Sequence, residues 1–203
     1  MNARMPAPTL KRMFFLLLAL LTVTTLYVHN YPMLSPTNAE WAHAAPFRWW
    51  LLLHAPFAAS ALLIGPLQFS STIRRRNLLL HRRIGQTYVG CVIIASLSGI
   101  VIGFHLDWGG AQVAVQGGVW LIATLMAFVA ARSHNVAQHR IWVGRSYGLT
   151  FVFVTARLVP DLFFASASNW VLNDLFWTLV VAGLLVPDII LTSSALLAPK
   201  SGL

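Results

Sequence analysis

The chain has 203 residues, 58% of them apolar and only 9% charged, with a formal net charge of +9; soluble proteins carry about a quarter charged residues. That composition excludes a disordered chain, and the lack of any polar stretch longer than a loop excludes an appended soluble domain for a nucleotide-dependent or hydrolytic reaction. A single cysteine, Cys91, excludes an internal disulfide, a CxxCH haem attachment and a cysteine-held iron–sulfur cluster.

Crossing a bilayer core takes about twenty apolar residues per helix. Runs of that kind fall near 13–29, 48–69, 84–104, 113–132, 146–165 and 172–197. They predict an all-α transmembrane bundle of about six spans, folded as one integral membrane domain over 1–203. The first run follows Lys11 and Arg12 and is too long for the apolar core of a signal peptide. The longest connector, Asn30 to Phe47, contains Pro32, Pro36 and Pro46 and is expected to lie on the membrane surface.

Basic residues collect at alternate connectors. Arg4, Lys11 and Arg12 precede the first run, Arg74, Arg75, Arg76, Arg82 and Arg83 separate the second from the third, Arg132, Arg140 and Arg145 separate the fourth from the fifth, and Lys200 follows the last. Twelve of the fourteen cationic side chains thus fall on one side, and the positive-inside rule predicts that both termini are cytoplasmic. The surplus charge therefore marks a membrane boundary with lipid head groups as partners, not nucleic-acid binding. Glu40, Asp107, Asp161 and Asp174 fall at the opposite face, with Trp41, Trp49, Trp50, Trp108 and Trp170 as an interfacial aromatic belt.

One motif occurs twice at the basic side. His81-Arg82-Arg83-Ile84-Gly85-Gln86-Thr87-Tyr88 enters the third run, and His139-Arg140-Ile141-Trp142-Val143-Gly144-Arg145-Ser146-Tyr147 enters the fifth. Each reads HR and then G-x-x-Y, with spacings that differ by one residue. Runs two and three and runs four and five therefore read as two helical-hairpin repeats related by an axis along the membrane normal, which brings His81 and His139 to similar depth. Two neutral imidazoles on facing helices are the axial set of a six-coordinate b-type haem, so His81 with His139, or with His134, is a candidate ligand pair. The alternative is that both HR pairs contact lipid phosphates. Thr87, Cys91, Ala95, Gly99 and Gly103 recur at i, i+4 and predict a smooth helix face for a flat guest or a close neighbouring helix.

His54 lies about two turns into the second run, and His105 ends the third. The repeat predicts a partner for His54 near Gln112, and the fourth run contains no histidine, so a single site at the basic side is expected. His54 has the alternative of a buried bond to a neighbouring carbonyl or acid, and His29 and His43 carry no assignment. Arg157 lies inside the fifth run and is a functional candidate by position alone. Its plain explanation is an i, i+4 ion pair with Asp161 across Pro160; the sharper one is a cavity where it binds a haem propionate, a quinone oxygen or a small carboxylate. Asp188 after Pro187 reads as a protonatable group at a helix break, and Gly65-Pro66-Leu67-Gln68-Phe69 makes a similar break. No HExxH, GxSxG or phosphate loop occurs, which excludes the corresponding hydrolases and ATPases.

The stretch from His54 to GPLQF, the HRRIGQTY segment, and HRIWVGRSYGLT followed by Thr155-Ala156-Arg157 together resemble an uncharacterised family of bacterial multi-pass membrane proteins, classed only as a domain of unknown function. The resemblance covers roughly residues 50–160 and implies a bacterial inner-membrane protein. It also implies a polar signature of His54, Gln68, His81, Arg82, Tyr88, His139, Arg140, Arg145, Tyr147 and Arg157. A looser similarity is to cytochrome b561-type membrane cytochromes, from which the chain departs in having no histidine within the fourth run. The expected function is electron transfer through b-type haem or a quinone at a cleft on the cytoplasmic side, with His81 and His139 as axial ligands. Arg82, Arg140 and Arg145 would neutralise propionates or an anionic donor, Arg157 would serve an outer-half polar site, and His54 is a further cofactor-binding candidate. The alternatives are a cofactor-free accessory or assembly subunit of a larger respiratory or photosynthetic complex, and a transporter of small anions.

Overall fold

The computed structural model describes residues 7–31, 35, 37, 39–107, 109–164 and 166–196. Arg4, Trp108 and Lys200 lie outside the described residues, as do the side chains of Lys11, Arg12, His29 and Glu40. No strand occurs among the described residues. In chain order the helices are α1 (Ala7–Thr25), α2 (Ala39–His43), α3 (Arg48–Ile64), α4 (Ser71–Arg76), α5 (Leu78–Gly103), α6 (Gly110–Arg132), α7 (Val136–Phe163) and α8 (Asn169–Leu196). A π-helical turn, Leu26–Asn30, extends α1, and a 3-10 turn, Gly65–Phe69, extends α3.

The boundaries follow local chemistry. Ser70 Oγ accepts from the Ile73 N–H at 3.3 Å, Asn77 Oδ1 from Leu80 at 2.8 Å and Asn135 Oδ1 from Gln138 at 3.1 Å, so α4, α5 and α7 each start on a side-chain cap. Gly109, at φ +76°, makes the turn into α6.

Four stretches combine the length and apolarity of a membrane span: Arg48–Phe69, Leu78–Gly103, Gly110–Arg132 and Asn169–Ser193. The expected six are thus reduced to four on this criterion. The apolar part of the first helical segment, Phe15–Val28, is shorter than a full crossing. Helix α7 has 28 residues but carries Arg140, Arg145, Arg157 and Asp161, which cost it apolarity rather than length.

Each of α5, α6, α7 and α8 packs on its predecessor, and α5 also packs on α3. Contact between α7 and α3 closes α3, α5, α6 and α7 into a four-helix bundle; α1 packs on α3 and α7, and α8 covers the far side of α7. Antiparallel succession gathers α4, the starts of α5 and α7 and the end of α6 at one end, here the basic end. The core is built largely from small residues, with Ala58, Ala61, Ala95 and Ala123 beside Leu62, Val92, Leu149 and Val152. Small side chains let backbones approach, and dispersion then supplies the attraction that hydrophobic burial cannot supply in lipid. The closest approach is between α7 and α8, where a Cβ at Gly148 would run into the Gly183 carbonyl.

The expected small-residue stripe holds only in part. Cys91, Ala95, Gly99 and Gly103 are buried, but Thr87 is exposed and bonds the Arg83 carbonyl at 3.1 Å. Four residues advance a helix by about 400°, so an i, i+4 line drifts roughly 40° per step and leaves the buried face. The stripe also serves two neighbours: Gly99 seats the His54 ring, and Gly103 seats α6 at Gly110 and Ala114.

Candidate functional site

Half-way along the bundle, toward the end opposite the basic one, α3, α5, α6 and α7 part around a chamber of about 390 Å³. His43 of α2, His54 of α3, Ser96 of α5, Gln116 and Trp120 of α6, and Thr150 and Arg157 of α7 are among its polar lining; Leu51, Ile102, Phe153 and Phe176 are among the apolar wall.

Local structure fixes each polar group. The His54 Nδ1 lies 2.8 Å from the Ala95 carbonyl, so it carries the proton, and Nε2 is left as the ring's acceptor. This close approach of α3 to α5 is possible because residue 99 is glycine: a Cβ there would lie 3.3 Å from two ring atoms. Gln116 donates to the Leu149 carbonyl at 3.3 Å. Ser96 is 1% exposed, and its Oγ has no hydrogen-bond partner among the described residues.

Arg157 donates to the Phe153 carbonyl at 3.5 Å, and its guanidinium lies 4.0 Å from the centre of the Phe153 ring. It makes no ion pair among the described residues, so the expected local pair with Asp161 is not what holds it. A long bond and a ring face leave most of its five N–H donors unspent. Arg157 also lies close enough to His54 for the two to interact electrostatically. The chamber therefore offers a cation, imidazole nitrogen and an unused hydroxyl, with no carboxylate among the described residues of its lining.

Next to the chamber on the basic side lies a closed set of hydroxyls. Tyr88 Oη is 2.9 Å from Ser146 Oγ and 2.8 Å from Thr150 Oγ1, and Ser146 Oγ is 2.7 Å from Thr124 Oγ1. Thr124 and Thr150 also donate to the Trp120 and Ser146 carbonyls, each at 2.8 Å. The Trp120 indole N–H lies beside Tyr88 but makes no well-aligned bond. Tyr147, the tyrosine of the second motif copy, donates to the Leu62 carbonyl at 3.2 Å. That carbonyl lacks its usual helical donor because the residue four positions on is Pro66. Pro187 likewise frees the Gly183 carbonyl, against which the Gly148 backbone packs. Tyr147 and Gly148 thus compensate two proline breaks from adjacent positions of α7.

The remaining expected site residues lie at the basic end. His81 and His139 are near enough to interact electrostatically. The His139 Nδ1 is 2.9 Å from the Ala127 carbonyl, and the His81 Nδ1 is buried without a partner among the described residues. Neither histidine lines the chamber. Arg82 and Arg140 are exposed. Arg145 is engaged by Asp188, with Nε 3.0 Å from Oδ1, and lies over the Trp142 ring at 4.5 Å. Asp188, expected as a lone protonatable group, is thus an ion-pair partner. His134 takes the left-handed conformation at the α6–α7 turn, and His105 bonds the Val101 carbonyl at 2.8 Å. Gln112 bonds Asn173 of α8 rather than His54. Among the described residues no three His, Cys, Asp or Glu side chains group as a metal site.

Ser96, Gln116, Trp120, Thr124 and Thr150 escape sequence reasoning because single hydroxyls and amides within apolar runs are ordinary. Pro66 and Pro187 are a signal only for Tyr147 and Gly148, since each frees a carbonyl four residues earlier.

These features define the class: a helical membrane protein with a partly open, mainly apolar cavity between its helices that carries a few polar groups. Residues 51–194 match the family described as Predicted membrane protein (DUF2306), and the chain belongs to that family. The match extends beyond 160 through α8, which supplies Gly183, Pro187 and Asp188 to the packing of α7. No curated protein and no solved structure matches the chain. The comparisons do not show the looser likeness to cytochrome b561-type proteins.

Proposed function

We propose that the protein binds the head ring of a membrane quinone in the chamber between α3, α5, α6 and α7 and acts in membrane electron transfer through it. The observation that carries this reading is Arg157, a half-buried cation lining a partly open cavity without an ion-pair partner among the described residues. An intramembrane arginine is costly, and a ligand oxygen recovers part of that cost. A volume of 390 Å³ lies within the range of about 300–1,000 Å³ typical of small-molecule sites. Arg157 would donate to one ring oxygen, Ser96 and His54 would serve the other, and the guanidinium would stabilise negative charge that develops on reduction. On the positive-inside rule the basic end faces the cytoplasm of a bacterial inner membrane, which puts the chamber in the outer half of the bilayer.

The test is titration of the detergent-solubilised protein with a short-chain ubiquinone analogue, followed by tryptophan fluorescence, since Trp120 lines the chamber. Saturable quenching is expected, with Arg157→Met and His54→Gln each weakening binding about tenfold or more. Absence of saturable binding, or equal binding by both variants and the parent, overturns the proposal.

A second reading, a b-type haem between His81 and His139, rests on their proximity and on the anchored Nδ1 of His139, which leaves Nε2 for a metal. Protein from haem-replete cells then shows a Soret band that His81→Ala and His139→Ala each remove. A colourless preparation overturns it.

A further inference from the structure

A second cavity, of about 700 Å³, opens on the other side of α7. It is a groove between α1 and α8 with α7 as its floor. Phe15 and Leu18 form one wall, Leu179, Val186 and Ile190 the other, and Phe151 and Val152 part of the floor. Its lining on α8 runs from Leu179 to Leu191 and on α7 from Arg140 to Thr155. At 1.5 Å per residue these stretches span about 18 and 22 Å. One leaflet of hydrocarbon is about 15 Å thick, half of the bilayer core, so the groove has the length of a lipid chain plus part of its head group.

Among the described residues of the lining, charge is confined to one end. Arg74 of α4 and Arg140 of α7 stand at the basic mouth beside Gln68 and Ser71, and no acidic side chain is among the described lining residues. Both arginines are exposed, and neither makes an ion pair among the described residues. They come from separate helices, one before α5 and the other at the start of α7, so the tertiary fold brings two cations to one apolar trough. Gly144, Gly148 and Gly183 also line the trough, where they let α7 and α8 meet closely at its floor.

We infer that this groove is a site for an anionic glycerophospholipid, with the phosphate held between Arg74 and Arg140 and an acyl chain lying along α7 between α1 and α8. A zwitterionic lipid matches the trough equally in shape but not in charge, because its choline or ethanolamine cation is brought toward two arginines. A quinone would leave the arginine pair without a full negative charge to meet.

The experiment is native mass spectrometry of the full chain after exchange into mixed micelles containing equal phosphatidylglycerol and phosphatidylcholine. The parent should retain phosphatidylglycerol selectively, and Arg74→Gln with Arg140→Gln should lower that retention about tenfold or more while leaving phosphatidylcholine unchanged. Arg75→Gln with Arg76→Gln removes the same charge at the same end but outside the groove lining, and should retain the parent's selectivity. Ala182→Phe, which fills the groove, should reduce retention of phosphatidylglycerol with the arginines intact. Equal retention of the two lipids by the parent, unchanged selectivity in the Arg74/Arg140 variant, or an equal loss in the Arg75/Arg76 variant would overturn the inference.

Discussion

Near the basic end, Tyr88, Ser146, Thr124 and Thr150 bond to one another and to backbone carbonyls, while one layer away Arg157, His54 and Ser96 surround an empty volume with bonding capacity unused. Both regions put polar groups into a membrane-embedded core, and the cost of doing so is the same for each until partners are counted. Where the partners are internal, the polar groups fix the helices relative to one another. Where they are missing, the cost is offset only by what enters the cavity, water or a ligand. On the proposed function, the contrast separates residues that hold the bundle together from residues that bind the quinone.

The sharpest break should come on the structural side. Gly148→Leu puts a side chain into the Gly183 backbone and should cost about 3 kcal/mol or more, read as a large drop in thermal midpoint or as loss of the folded peak in size-exclusion chromatography. Next is Tyr147→Phe, which leaves the Leu62 carbonyl without its donor and should cost about 1–3 kcal/mol in the same melts. Tyr88→Phe should cost less, about 1 kcal/mol, because Ser146 and Thr150 keep other partners.

Chamber substitutions should behave in the opposite way. Arg157→Met removes a charge without an ion partner and should raise stability by about 1–2 kcal/mol while abolishing quinone-induced stabilisation. If that variant is instead less stable and binds normally, Arg157 belongs with the structural set. Asp188→Asn should cost no more than about 1 kcal/mol, since both side chains of its ion pair are 28% exposed. At the small end, Gly90 faces open space, and Gly90→Ala should stabilise by about 0.5–1 kcal/mol.

Part of the site was legible in the chain. Arg157 stands out because a cation in an apolar run is conspicuous, and the HR and G-x-x-Y repeat marks His81 and His139 as related positions at the starts of α5 and α7. Its partners were not legible. Asp161 is the neighbour in sequence, but one turn of separation does not oblige two side chains to meet, and Arg157 turns to the Phe153 ring instead. Asp188 and Arg145 are 43 residues apart and meet only because α8 folds back along α7. Tyr88 and Tyr147, alike in the motif, differ in what they bond: one joins the hydroxyl set and the other serves a carbonyl that Pro66 frees.

By itself the sequence determined a helical membrane protein, the main apolar spans, the basic end and the presence of a charge out of place. Hydrocarbon thickness and the cost of bare peptide groups impose those features on any chain, one segment at a time. Only the tertiary structure decided which polar groups spend their bonds on each other and which face a chamber. That depends on how far each helix is rotated and how closely small residues let it approach its neighbours. Helical repeats carry no record of that rotation beyond a few turns, whereas packing at Gly99, Gly148 and Gly183 fixes it.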